Sequence, residues 1–226
     1  LGGGDTFIAS NWAMMFGAFA VLSMLVGNTA AMLQTDVRRL LGYSSIAQAG
    51  NIAIGLAAVT MGSVVGASGV LFYLASYLVT NLAVFITVII ISERIGSYEL
   101  KDYAGIIRRS PALALVLILS LLSLTGIPPT AGFIAKLYIF NSAIQTGEIW
   151  LVVVVVFGVI NTAIAAFYYL RWVRIIALDP PEIANTFVTS GRMQFVLAFT
   201  TIGMILIGLV PGRLIDIAQN AASTLL

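Results

Sequence analysis

One lysine and one break in an apolar run are the chemically suggestive features of this sequence. Lys136 follows Ser123-Leu124-Thr125-Gly126-Ile127-Pro128-Pro129-Thr130-Ala131-Gly132-Phe133-Ile134-Ala135. Pro128 and Pro129 lack backbone donors and their rings clash with the carbonyls of Leu124 and Thr125, so no regular helix passes through them. The apolar run therefore divides into two half-helices around Gly126, Pro128 and Pro129. Within a bilayer, backbone groups freed in this way are tolerated only where protein or water satisfies them, and an interrupted helix marks an ion or substrate site. A lysine at bilayer depth costs about 2.5–3.5 kcal/mol on insertion scales, so its presence is a functional hypothesis in itself. The chemistry such an amine could do is to alternate between charged and neutral, since desolvation lowers the pKa of a buried lysine. The competing reading has Lys136 snorkelling to a headgroup and the prolines merely kinking a packing helix.

Polar residues on neighbouring apolar runs are placed to serve such a site. Ser44, Gln48 and Asn51 recur at steps of four and three, and Tyr73, Tyr77 and Asn81 at steps of four, so each trio shares one helical face. With Asn161 and Tyr169 they are candidates to hold water along a passage, and equally candidates for hydrogen bonds between helices. The chain has no His and no Cys. Disulfides, thiolate or imidazole metal sites, haem ligation and Ser-His or Cys-His catalysis are thereby excluded, and no cofactor site is expected in this chain. No phosphate loop or nucleic-acid surface is evident, so nucleic acid is not an expected partner.

The elements that must position these residues are membrane helices. Hydrophobic residues make up 60% of the 226 and charged residues 9%, a composition that excludes an ordinary soluble domain. Apolar runs of about 20 residues, without the ten-residue alternation of barrel strands, indicate helices. The expected fold is an all-α polytopic bundle of about six transmembrane helices, one of them discontinuous, forming a single membrane domain over 1–226. The spans are read as 11–33, 40–60, 69–92, 111–141 with the break inside it, 150–171 and 193–210. Trp12 suits an interfacial belt. A Gly- and Ser-rich loop is expected over 61–68, and a short amphipathic surface helix within 96–110. The turn Asp179-Pro180-Pro181-Glu182 is rigid, and the tail Ile215 to Leu226 is expected at the membrane interface.

Charge orients the bundle. Arg38, Arg39, Arg94, Lys101, Arg108, Arg109, Arg171, Arg174 and Arg192 fall on one side and Arg213 on the other. By the positive-inside rule the basic side is cytoplasmic, with both chain ends opposite. A chain that starts at Leu1 without a signal segment, with its start outside, is expected to follow earlier helices of a longer protein.

The motifs resemble those of one family. Thr35-Asp36-Val37-Arg38-Arg39-Leu40-Leu41-Gly42-Tyr43-Ser44-Ser45-Ile46-Ala47-Gln48-Ala49-Gly50 resembles a signature of the antiporter-like membrane subunits of respiratory complex I. Gly126 to Tyr138 resembles the broken-helix motif of the subunit N branch, and Ala165-Ala166-Phe167-Tyr168-Tyr169-Leu170-Arg171 resembles its Tyr-rich stretch. The resemblance covers about Asn11 to Val210. It implies a second inverted five-helix repeat over 11–178 and a final helix and tail over 193–226, with the first repeat absent. It also implies proton translocation coupled to quinone reduction, with Lys136 as carrier. Its other implications are neighbouring antiporter-like and small membrane subunits, lipid contacts, partners carrying FMN and iron–sulfur clusters with quinone as acceptor, and a bacterial or archaeal plasma membrane or an organellar inner membrane. Two positions depart from the pattern. Arg38 replaces the usual Lys and stays charged, so it can supply a fixed field but cannot pass protons. Gln48 replaces a frequent His and can order water without changing charge. A component of a multi-subunit cation/proton antiporter and a static membrane scaffold remain as alternatives.

Overall fold

The computed structural model describes residues 3–181, 185–187 and 190–224. Among them the regular elements are helical: α1 (Gly3–Met32), α2 (Val37–Thr60), α3 (Val64–Ile95), the single turn α4 (Ile106–Arg109), α5 (Pro111–Thr125), α6 (Ala131–Ile144), α7 (Ile149–Ala177), α8 (Gly191–Leu209) and α9 (Gly212–Ser223), with a 3-10 turn at Leu100–Tyr103. The stretches Ile8–Met32, Val64–Ile95 and Ile149–Ala177 are each long and apolar enough to cross a membrane. Lipid-sized apolar side chains such as Phe19, Leu22, Val153, Val156 and Phe199 face outward, as an integral membrane protein requires.

The expected discontinuous helix is present. α5 and α6 are separately too short to span, and residues 126–130 interrupt them. α2 carries Ser44, Gln48 and Asn51, all buried, so it is a helix enclosed by its neighbours rather than one bathed in lipid. Its tightest partner is α1. A Cβ on Gly27 would lie 2.6 Å from the backbone nitrogen of Ala47, and one on Gly50 would lie 2.8 Å from the carbonyl oxygen of Ala20. Small residues at this seam let the two backbones touch, which is how apolar helices gain packing where lipid offers no hydrophobic drive.

Two features differ from expectation. The loop before α3 is only residues 61–63, because Ser63 caps α3 through Gly66 N–H and starts the helix early. The segment after α3 is no surface helix. Its hydrogen bonds Val37 N–H to Tyr98 O (2.9 Å) and Leu100 N–H to Thr35 O (2.7 Å) tie it to the α1–α2 turn. Leu100, Tyr103 and Ile106 are buried, with Tyr103 edge-on to Trp172 at 5.7 Å. The many charges of this stretch suit a solvated helix, but these three apolar residues plug the end of the bundle. α9 turns 83° from α8, packs on α3 and places Gln219 3.2 Å from the Tyr138 hydroxyl. The expected rigid turn and the end of the tail include Glu182, Leu225 and Leu226, which lie outside the described residues.

Candidate functional site

The break leaves each half-helix with exposed polar ends, and each half supplies the side chain that satisfies the other. A helix C-terminus presents four carbonyls without intrahelical partners. In α5 these belong to Leu122, Ser123, Leu124 and Thr125. Gly126, at φ 88°, folds the chain back so that its N–H reaches Leu122 O and Ser123 O at 3.0 Å, and Ile127 N–H reaches Leu122 O at 3.1 Å. The remaining two are met from α6. Lys136 Nζ donates to Thr125 O at 2.8 Å and to Leu124 O at 3.1 Å. In return Ser123 Oγ accepts from Gly132 N–H at 3.2 Å, capping the start of α6. The negative end of the α5 dipole therefore faces the one basic side chain buried within a membrane helix among the described residues, a favourable electrostatic placement. Gly126 serves a second purpose: a Cβ there would sit 3.0 Å from Lys136 Cδ, so only glycine admits both the left-handed turn and the lysine.

Lys136 is 6% exposed, which answers the snorkelling alternative: the amine turns inward to the break, not outward to a headgroup. Two cavities meet it. One of about 10 Å³ is lined by Gln48, Tyr73, Ser76, Tyr77, Thr80 and Ser123 along with Lys136, and is large enough for about one water. Among the described residues, Ser76 Oγ has no hydrogen-bond partner. The other, of about 140 Å³, lies against α7 and is lined mainly by apolar groups with Thr162, whose hydroxyl is likewise unpartnered. Such unsatisfied hydroxyls are the places where water is held.

The residues selected from the sequence fall into two groups and some outliers. Gln48 is the hub of the first: its Nε2 donates to Leu124 O at 3.1 Å, the carbonyl that Lys136 also uses, and its Oε1 accepts from the Tyr73 hydroxyl and from Asn51 Nδ2. Tyr77 lines the same cavity and donates to Ser45 Oγ at 2.9 Å. Ser44 and Tyr169 bond to each other in a second cluster. There Asn28 Nδ2 reaches Asn161 Oδ1 at 3.2 Å and the Tyr168 hydroxyl reaches Asn28 Oδ1 at 3.0 Å, joining α1 and α7. Ser44 and Gln48 are one turn apart on α2, so that helix is shared by the two clusters.

Asn81 is half-buried on α3 and lines neither cavity. Arg38 lies outside both, in an exposed 3.0 Å ion pair with Asp36 and stacked on Tyr98 at 3.8 Å. Pro128 and Pro129 are joined by a cis bond, and a Cβ on Gly208 would meet the backbone of Thr130 at 2.6 Å, so α8 braces the break directly. Sequence reasoning passed over Ser76, Thr80, Ser123 and Thr162. Ser76 and Thr80 lie three and seven residues after Tyr73, a helical spacing that could have found them; nothing local marks Ser123 or Thr162.

The sequence model of the family described as NADH:quinone oxidoreductase/Mrp antiporter, TM matches residues 5–165. The chain belongs to this family. Among the relatives in the family, NADH-quinone oxidoreductase subunit N of Desulforamulus reducens is 38% identical over 224 residues, covering 99% of this chain and 46% of that one. A chain of respiratory complex I from Thermus thermophilus superposes with a TM-score of 0.75 at 28% identity over 90% of this chain and 45% of its own length. A chain of the Mrp complex from Dietzia sp. shares the fold, with a TM-score of 0.82 at 20% identity, over 95% of this chain and 47% of its own. The chain thus spans about half the length of the relatives it matches.

Proposed function

We propose that the chain is the second inverted five-helix repeat, over 11–178, with the final helix and tail, over 193–226, of a subunit N-type protein, and that it moves protons through a half-channel centred on Lys136. The protein would work as one membrane subunit of a complex I-type NADH:quinone oxidoreductase, beside other antiporter-like and small membrane subunits. FMN and iron–sulfur clusters would reside in partner subunits, and quinone would accept the electrons. The basic loops would face the cytoplasm.

The observation that carries this reading is the position of Lys136: buried, at a helix break, and reached by two cavities. The carbonyl end of α5 could have been closed by an uncharged donor from α6, so a charge that costs about 2.5–3.5 kcal/mol needs a function beyond capping. Ser76 and Thr162 are suited to hold water on the two sides of the amine, which gives protons a route to and from it. Gln48 orients the first of these approaches without itself titrating. Within the protein a charge is weakly screened, so a positive charge arriving near such a carrier would expel its proton and a negative one would retain it. The family takes in both complex I and Mrp antiporter subunits, and the relatives at 38–40% identity that are named as subunit N support the complex I assignment over an Mrp-type antiporter.

The test is redox-driven proton uptake by the assembled complex in sealed vesicles, comparing wild type with Lys136→Ala at matched assembly. Loss of pumping with coupled turnover is expected. Unchanged protons per electron would leave Lys136 as a structural cap.

A further inference from the structure

At the basic end of the bundle, away from Lys136, a cavity of about 500 Å³ opens between the end of α3, the connector of residues 96–110 that follows it and the residues that follow α7. Arg94, Lys101 and Arg109 line it, with Asp102, Ile95 and Phe187 completing the walls. Its charge is therefore three positive against one negative. The single acid is already engaged, accepting from the Ser97 hydroxyl, whereas none of the three bases forms an ion pair among the described residues. Arg109 is only 8% exposed, yet its Nε is held by the Asn185 carbonyl at 3.2 Å and its guanidinium lies 5.3 Å from the Phe187 ring. A guanidinium fixed and largely desolvated in this way is pre-organised to meet a planar or tetrahedral oxyanion.

The depth of the cavity points to the membrane surface. α3 has 32 residues, which at about 1.5 Å per residue outreach a hydrocarbon core of about 30 Å. Arg94, in its last turn, therefore stands at headgroup level. Ile95 and Phe187 give the cavity an apolar side suited to the glycerol end of a lipid, and basic pockets at this level attract anionic headgroups.

We propose that this cavity is a phosphate-binding site fitted to the headgroup of an anionic lipid, with Arg109 as its fixed base and Arg94 and Lys101 as its outer, exposed bases. The site joins α3, the connector and the segment before α8, so an occupant would clamp the α7–α8 crossing to the rest of the bundle.

The assembled membrane complex, stripped of lipid in detergent, is titrated separately with phosphatidylglycerol, with phosphatidylcholine of the same chains and with inorganic phosphate. Native mass spectrometry counts retained lipid, and the unfolding midpoint reports stabilisation. The wild type should hold one phosphatidylglycerol more than Arg94→Gln/Lys101→Gln, with apparent affinity falling roughly five-fold per charge removed and phosphatidylcholine unaffected. Arg109→Gln should abolish the difference. Because that residue is buried, the exposed pair keeps the test open if Arg109→Gln does not assemble. A variant-sensitive response to inorganic phosphate alone would uphold the phosphate site and overturn the lipid as occupant. Identical titrations for wild type and variants would overturn the proposal.

Discussion

Replacing Lys136 by Met should uncouple proton pumping while leaving the fold standing. Met keeps most of the side-chain volume, so little cavity opens. What is lost is the pair of hydrogen bonds to Thr125 O and Leu124 O. Leu124 O retains Gln48, so one buried carbonyl is orphaned, at a cost of about 1–3 kcal/mol. Against this stands relief from holding a charge at bilayer depth, about 2.5–3.5 kcal/mol. The two nearly cancel, with the balance slightly toward stabilisation. Ala instead removes about three further methylenes from their packing, about 0.8 kcal/mol each, and should be less stable than Met. Arg would keep donors but not release a proton at any accessible pH. The assay is the unfolding midpoint of the assembled complex alongside protons moved per electron in vesicles. Lys136→Met is expected at or near the wild-type midpoint with pumping lost. A midpoint collapse on Lys136→Met would refute the energetic account, and intact pumping with either Met or Arg would refute proton carriage by this residue.

Other perturbations reach the same architecture. Gly208→Ala drives a Cβ into backbone atoms of Thr130 and Ala131 at 2.6 and 2.9 Å, and should cost about 1–3 kcal/mol as over-packing, read as a lower unfolding midpoint. Gln48→Leu removes a donor from Leu124 O and the acceptor of Tyr73; a loss of about 1–3 kcal/mol is expected, together with slower pumping, and a variant indistinguishable in both would show the hub to be idle. Asp36 caps α2 by accepting from the N–H groups of Arg38 and Arg39, so Asp36→Ala should cost about 1 kcal/mol. The Arg38 side-chain hydrogen bond, assisted by those two backbone donors, holds the Asp36 carboxyl below its ordinary 3.8. Because the folded value is the lower one, this contribution is complete above about pH 4 and fades as acid carries the group through its folded value. Asp36→Asn should retain part of the cap and flatten that acid limb in a pH series of midpoints, whereas an unchanged limb would place its origin elsewhere.

Much of the site could be read in the chain because its causes are local. Two consecutive prolines after Gly126 must break a helix, and α5 does end at Thr125. Ser44, Gln48 and Asn51 share a face at any helical geometry, and all three are buried. What escaped reading depends on residues distant in sequence. No pattern pairs Lys136 with carbonyls eleven and twelve residues before it, or Gly208 with the break it braces. Leu100, Tyr103 and Ile106 were concealed by the charges among which they are set; their burial is decided by Trp172 and by the α1–α2 turn, neither of which is near in the chain.

The two carbonyl bonds of Lys136 also fix a proton inventory. A charged amine carries three N–H donors and a neutral one carries two. Thr125 O and Leu124 O take two, so the third is the one that can depart without costing the broken helix a hydrogen bond. In the proposed role of proton carrier, Lys136 would then load and unload with the joint between α5 and α6 closed in both states. The helix ends would not need to rearrange on each turnover, and the traffic would fall to water held beside Ser76 or Thr162.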